Sequence, residues 1–321
     1  MEDIASVATE KKQSHISNHL KYNVLGDWNM AIFFLQEIKE LNKYKLKKNN
    51  ILNKIEEEIH EDKVLLNLPI QENAKLKKII KLVNKLEKYN IKTAVLSNKL
   101  NKIENLKNVL YSRNINILNG THLFKLLIED VVNYICEECN RKIEKTEISI
   151  LTNEASNLNK EIIIRFAEKV KTLNIITNHI EQFKNLEDYL YNEKGIIIKL
   201  SNNYKTALQN TNIIINMDFP EEIINKYLLP NKCIIVNMRA QIKIKSKRFN
   251  GININDYNII MPEKYKIDRF SSKLIYESFV LDKDYKQARK QILEDKIEIE
   301  ELIGEKGVIN QKEYKINVIV L

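Results

Sequence analysis

The sequence predicts an α/β fold of parallel-sheet βα repeats, with a helical N-terminal segment and a mainly helical C-terminal region. Two observations carry this. From Val64 onward, short β-branched apolar runs alternate with longer amphipathic segments, the texture of strands covered by helices on both faces. The chain has 321 residues, 44% of them hydrophobic, enough to bury about two cores.

The elements follow in order. Residues 1–60 read as helical, from the near-helical spacing of Met30, Phe33, Phe34, Ile38 and Leu41 and then of Ile51, Ile55 and Ile59. Residues 61–143 read as a first α/β region. Its strands are 64–68, 93–96 and 115–118, followed by helices over 73–89, 102–111 and 122–139. Residues 144–262 read as a second α/β domain, with strands at 148–152, 173–177, 196–200, 212–216 and 233–236. Helices fall at 158–171, 180–191, 204–208 and 221–228, and further strands at 242–245 and 258–261. Residues 263–321 read as mainly helical, with a closing strand over 315–321. Only 6 Gly and 4 Pro are present, and Asn is frequent, so Asn is expected to take left-handed turn positions that Gly would otherwise hold.

Composition excludes several classes. The segment from Met1 to Gln13 is polar and lacks the apolar core of a signal peptide, and the apolar run 28–35 is too short to span a bilayer. Three cysteines make no disulfide framework, so the cytoplasm is the expected compartment. The formal charge of +9 is discounted as a nucleic-acid signal, because heavy Ile, Asn and Lys usage is what an A/T-rich coding sequence produces.

The region from Ile148 to Met238 resembles the cofactor-binding, Rossmann-like half of the shikimate dehydrogenase and glutamyl-tRNA reductase group. Three matches carry the resemblance. Thr177-Asn178-His179 ends the second strand, where that group has an Asn-Arg pair at the adenosine phosphate of NADP. Ala207-Leu208, the strand 212–216 and Pro220 resemble its helix-then-strand run, and 233–236 resembles the next strand. The resemblance implies NADP as cofactor, with Asn153, Ser156 and Asn157 near the phosphates, Asn178 and His179 near the adenosine ribose, and Asn216 at the following strand end.

Two departures set the functional expectation. The turn after the first strand reads Thr152-Asn-Glu-Ala-Ser-Asn157, with none of the glycines that let a backbone approach a pyrophosphate. Glu154 adds a negative charge to that mouth, and His179 stands where an arginine would hold a phosphate. The helix start, capped by Asn157, still offers amides to an anion. The leading expectation is therefore a protein related to NAD(P)-dependent oxidoreductases with an eroded cofactor turn, serving in binding, regulation or scaffolding for a protein partner or small molecule. The alternatives are an active NADP-dependent reductase with an atypical turn, and a nucleic-acid-associated protein. The last would use the helix bearing Lys75, Lys77, Lys78, Lys81, Lys85 and Lys88, or the cluster Lys243, Lys245, Lys247 and Arg248. A solvated helix face and a charged strand edge are the plainer readings of those lysines. Cys136-Glu-Glu-Cys139 has zinc or redox spacing but no second ligand pair, so no metal site is expected. Apolar residues around 28–35 would suit a homodimer interface.

Overall fold

The computed structural model describes residues 32–38, 54–60, 63–239 and 241–318. They divide into two compact units, Met1–Leu118 with Asp268–Ser271, and Asn119–Ile267 with Ser272–Leu321. The boundary expected at residue 143 thus falls inside the second unit.

The first unit is built from β1 (Ile32–Glu37), β2 (Glu56–His60), β3 (Lys63–Leu68), α1 (Leu76–Leu86), β4 (Thr93–Leu96), α2 (Glu104–Ser112) and β5 (Asn116–Ile117). The sheet order is β2-β3-β1-β4-β5. Strand β1 runs parallel to β3 and β4, β4 parallel to β5, and β2 antiparallel to β3. Two stretches expected to be helical are therefore strands, and the rest of 1–60 lies outside the described residues apart from 38, 54 and 55. The reason is burial. Strand β1 lies at the centre of its sheet, with Phe33 and Leu35 in the core under α1 and α2, while Phe34 meets Phe270 edge-on at 5.3 Å. A strand covered on both faces shows a continuous apolar run, which periodicity cannot tell from a helix segment. The acidic run in β2 suits helix and charged edge strand equally, and the hairpin to β3 decides it.

Helix α1 buries Ile79, Leu82, Val83 and Leu86, the i, i+3, i+4, i+7 stripe of an amphipathic helix. Its lysines border that stripe, and Lys88 pairs with Glu57 at 3.8 Å while lying over the Tyr89 ring. This is the solvated face expected as the plainer reading.

The second unit opens with α3 (Thr121–Leu126) and α4 (Ile128–Glu138), a break at Leu127 dividing the single helix expected over 122–139. There follow β6 (Glu147–Leu151), α5 (Asn157–Ala167), β7 (Thr172–Ile176), α6 (Glu181–Lys194), β8 (Lys199–Ser201), β9 (Ile213–Asn216), α7 (Glu221–Ile224), β10 (Ile234–Asn237) and β11 (Ile252–Ile260). The unit closes with α8 (Ser272–Val280), α9 (Tyr285–Glu294), β12 (Glu298–Gly304), β13 (Gly307–Val308) and α10 (Gln311–Val318). The sheet order is β13-β12-β11-β10-β9-β6-β7-β8, parallel from β11 to β8, with β12 and β13 added antiparallel at the edge. Counted from β6, the six parallel strands stand in the order 3-2-1-4-5-6 of the doubly wound dinucleotide-binding sheet.

Three further expectations are corrected. Residues 242–245 are not a strand, because side chains rather than a neighbouring strand receive their backbone: Ile242 N donates to Asn255 Oδ1, Lys243 N to Glu221, Ile244 N to Glu305 and Lys245 N to Asn225 Oδ1. Residues 204–208 form turns rather than a helix. Residues 311–318 are helical, and the strand expected over 315–321 does not form in the described part, 315–318. The expectation for asparagine is met at Asn90, Asn114 and Asn140, which take φ of 50°, 57° and 50° at element ends.

The β10–β11 connection needs one close approach. A Cβ on Gly251 would lie 1.9 Å from the Cys233 carbonyl oxygen, so only glycine fits. Gly251→Ala should destabilise the second unit by about 1–3 kcal/mol, read as an earlier urea transition. A transition at the wild-type midpoint would contradict the approach.

Candidate functional site

A doubly wound sheet binds ligands beyond the carboxyl ends of its strands, where the strand order reverses. In the second unit that point lies between β6 and β9. Register makes the rim there regular. Leu151 pairs with Ile176 and with Asn216, and Asn216 with Asn237. One further ladder bond follows on each strand, from Thr152 N to Ile176 O, Thr177 N to Ser201 O, Met217 N to Leu151 O and Met238 N to Asn216 O. The next residue on each strand is the first beyond the ladder. Along the rim these are Arg239, Asp218, Asn153 and Asn178.

Asn153, Glu154, Ala155, Ser156, Gln182, Asp218 and Arg239 line a hollow of about 600 Å³ at this rim. The decisive contact is made by Asp218. Its carboxylate accepts hydrogen bonds from Asn153 N at 2.9 Å, Glu154 N at 3.0 Å and the Thr152 hydroxyl at 2.9 Å. These are amides of the β6–α5 turn, the ones that would meet a pyrophosphate in a dinucleotide-binding sheet. Here a carboxylate of the chain itself receives them.

The turn is fixed from its other side as well. The buried Asn159 donates from Nδ2 to Thr152 Oγ1 at 3.1 Å and to the Glu154 carbonyl at 2.8 Å. Its Oδ1 accepts from Lys125 Nζ at 3.1 Å, and Lys125 also lies 3.6 Å from Glu154. None of residues 152–157 has positive φ, so the turn closes without a left-handed residue. Helix α5 is capped by Ser156, whose Oγ accepts from Asn159 N, and not by Asn157.

The structure brings some of the expected residues together and not others. Asn153 and Ser156 line the hollow, and Asn153 Oδ1 accepts from Asn178 N at 2.8 Å. Asn157 is exposed on the first turn of α5. His179 is exposed, with its backbone N–H bonded to Thr177 Oγ1. Asn216 is buried, and its side chain is committed to the Phe219 backbone and to Asn237 Oδ1. Asn237 continues that chain of amides to Asn253 and Asn255 in the first half of β11, which hold the Ile242 backbone. Reading the sequence missed Asp218, Arg239, Asn159 and Lys125. An acid two residues beyond a strand that borders the switch point was the available signal for Asp218.

The basic cluster is partly neutralised. Lys245 pairs with Glu221 at 2.8 Å, and Lys243 N donates to the same carboxylate. Among the described residues no group of three His, Cys, Asp or Glu could hold a metal, and no helix is long and apolar enough to cross a membrane. The two cysteines of the C-x-x-C close the last turn of α4, the negative end of its dipole. Burial pushes the Cys136 thiol up, and burial together with neighbouring Cys136 pushes Cys139 to about 12. Burial also raises Cys233 to about 12.

No family model matches the chain, and no curated protein sequence matches it. Among solved structures, L-tryptophan dehydrogenase from Nostoc punctiforme is 10% identical, with 82% of this chain and 78% of that chain covered and a TM-score of 0.34. The A chain of dipicolinate synthase from Bacillus subtilis is 10% identical over 54% of each chain, at a TM-score of 0.31. Aspartate transcarbamoylase from Trypanosoma cruzi is 12% identical, over 73% of this chain and 80% of that one, at 0.28. Likeness at this level assigns no activity. The strand order and the switch-point hollow define the class, a Rossmann-like α/β protein.

With both thiols near 12, about one Cys139 or Cys233 in 10⁴ is ionised at pH 8. Alkylation by iodoacetamide at pH 8 should therefore be slower than in the urea-unfolded chain by on the order of 10³-fold. Fast labelling of Cys139 in the folded protein would contradict this environment.

Proposed function

We propose that the chain is a ligand-binding or regulatory protein on a Rossmann-like scaffold and not an NAD(P)-dependent oxidoreductase. One observation carries the reading: the Asp218 carboxylate lies on the Asn153 and Glu154 amides. A dinucleotide would have to displace a carboxylate bonded to two amides and a hydroxyl, each bond to a charged group contributing roughly 1.5–3 kcal/mol. It would then bring its own negative charge beside Asp218 and Glu154. At the adenosine end, His179 takes the place of a permanent cation. The basic residues that favoured nucleic acid support that reading less, since Glu221 engages the Lys243 backbone and the Lys245 side chain.

The test is a titration of the purified protein with NADPH and NADH, followed by nicotinamide fluorescence or calorimetry. The expected result is no saturable binding at millimolar cofactor. Asp218→Ala, which vacates the two amides, should gain measurable affinity for inorganic pyrophosphate. Saturable NADPH binding by the wild type would overturn the reading in favour of a reductase with an atypical turn.

A further inference from the structure

The switch-point hollow has a charge pattern that no nucleotide explains. Its rim carries a cation and an anion on neighbouring strands. Arg239 is the first residue beyond the β10 ladder and Asp218 the first beyond β9, and adjacent strands lie about 4.8 Å apart. Despite that spacing the two side chains form no ion pair, and the exposed Arg239 has no hydrogen-bond or ionic partner among the described residues. The Asp218 Oδ1 atom receives only the Asn153 amide, so it retains a lone pair. Glu154, which also lines the hollow, has a single ion pair, to Lys125 at 3.6 Å, longer than a hydrogen bond, and its side chain is 58% exposed. Gln182, at the start of α6, adds a neutral group able to donate and accept.

We propose that this hollow binds a small zwitterion, an α-amino acid, with its carboxylate on Arg239 and its ammonium between Asp218 and Glu154. The inference deepens the reading of the hollow as a binding site and rests on it. A guanidinium with its donors unfilled matches a carboxylate in a planar fork, and two carboxylates match an ammonium with three donors. The backbones that carry the two partners stand one strand spacing apart, and both residues line the same hollow. A phosphate would meet two carboxylates and one cation, and a simple amine would leave Arg239 unpaired. A zwitterion satisfies both signs at once. The hollow, about 600 Å³, holds such a molecule with room for its side chain.

The experiment is calorimetric titration of the full chain with each standard L-amino acid at millimolar concentrations, with the N-acetyl and methyl-ester forms of any that binds. At least one amino acid should bind saturably, and removal of either charge in its derivatives should weaken binding by roughly tenfold or more. Arg239→Gln lies on the exposed rim and leaves the turn intact; it should weaken binding by a similar factor, and Glu154→Gln by less. No binding by any standard L-amino acid would overturn the inference, as would binding that Arg239→Gln leaves unchanged. The NADPH titration keeps the two readings apart. Silence toward both amino acids and NADPH overturns only the zwitterion, whereas NADPH binding overturns the scaffold reading beneath it.

Discussion

The arrangement of the second unit turns on a carboxylate meeting amides. A parallel sheet ends each strand in a turn that leads into a helix, and in a Rossmann-like sheet the turn after the first strand, with the helix start behind it, is the seat for a ligand's phosphates. In this chain Asp218, reaching across from the neighbouring strand β9, supplies the negative charge permanently. That one contact explains why the turn can dispense with glycine. Glycine is needed where a ligand's pyrophosphate must come close to backbone. Where a short side chain comes instead, Ala155, Ser156 and backbone of ordinary negative φ serve, with Asn159 and Lys125 holding the turn from behind.

The same device occurs a second time in the unit. Glu277 of α8 is buried and accepts from Gly120 N at 2.7 Å, His122 N at 2.8 Å and Leu123 N at 3.3 Å, the amides that open α3. Burial raises its affinity for a proton, and the three amides work against that rise. Glu129 of α4 makes the corresponding choice with cations. Burial would raise it, but Lys169, Tyr285 and Arg165 together hold it below the ordinary carboxylate range. The unit thus pairs buried carboxylates with its own amides and cations, and at the switch point this habit uses the ligand's seat.

Much of the architecture was legible from the sequence because parallel strands buried on both faces leave short β-branched runs, as at 148–151, 173–176, 213–216 and 234–236. The N-terminal strand β1 was not, because an apolar run as short as Ile32 to Leu35 has no period of its own and its identity comes from β3 and β4, its partners. The loop 242–245 failed for the opposite reason: its alternation of Ile and Lys is strand-like, but side chains, those of Asn225 after α7 and Asn253 on β11 among them, satisfy its backbone. At the site, the missing glycines and the negative charge of Glu154 were readable one residue at a time. What filled the vacancy was not, since Asp218 stands 65 residues from Asn153 in sequence and meets it only through strand order. Asn216 shows the converse, a residue placed by resemblance at a cofactor and spent instead on the Phe219 turn.

Backbone hydrogen exchange at two positions tests the central contact directly. The Asn153 and Glu154 amides should be protected in the wild-type protein with no ligand added, and Asp218→Ala should release both while leaving the strand amides of β6 protected. Exchange of these two amides at the unprotected rate in the wild type would contradict the account, because it would leave the phosphate seat of the sheet open.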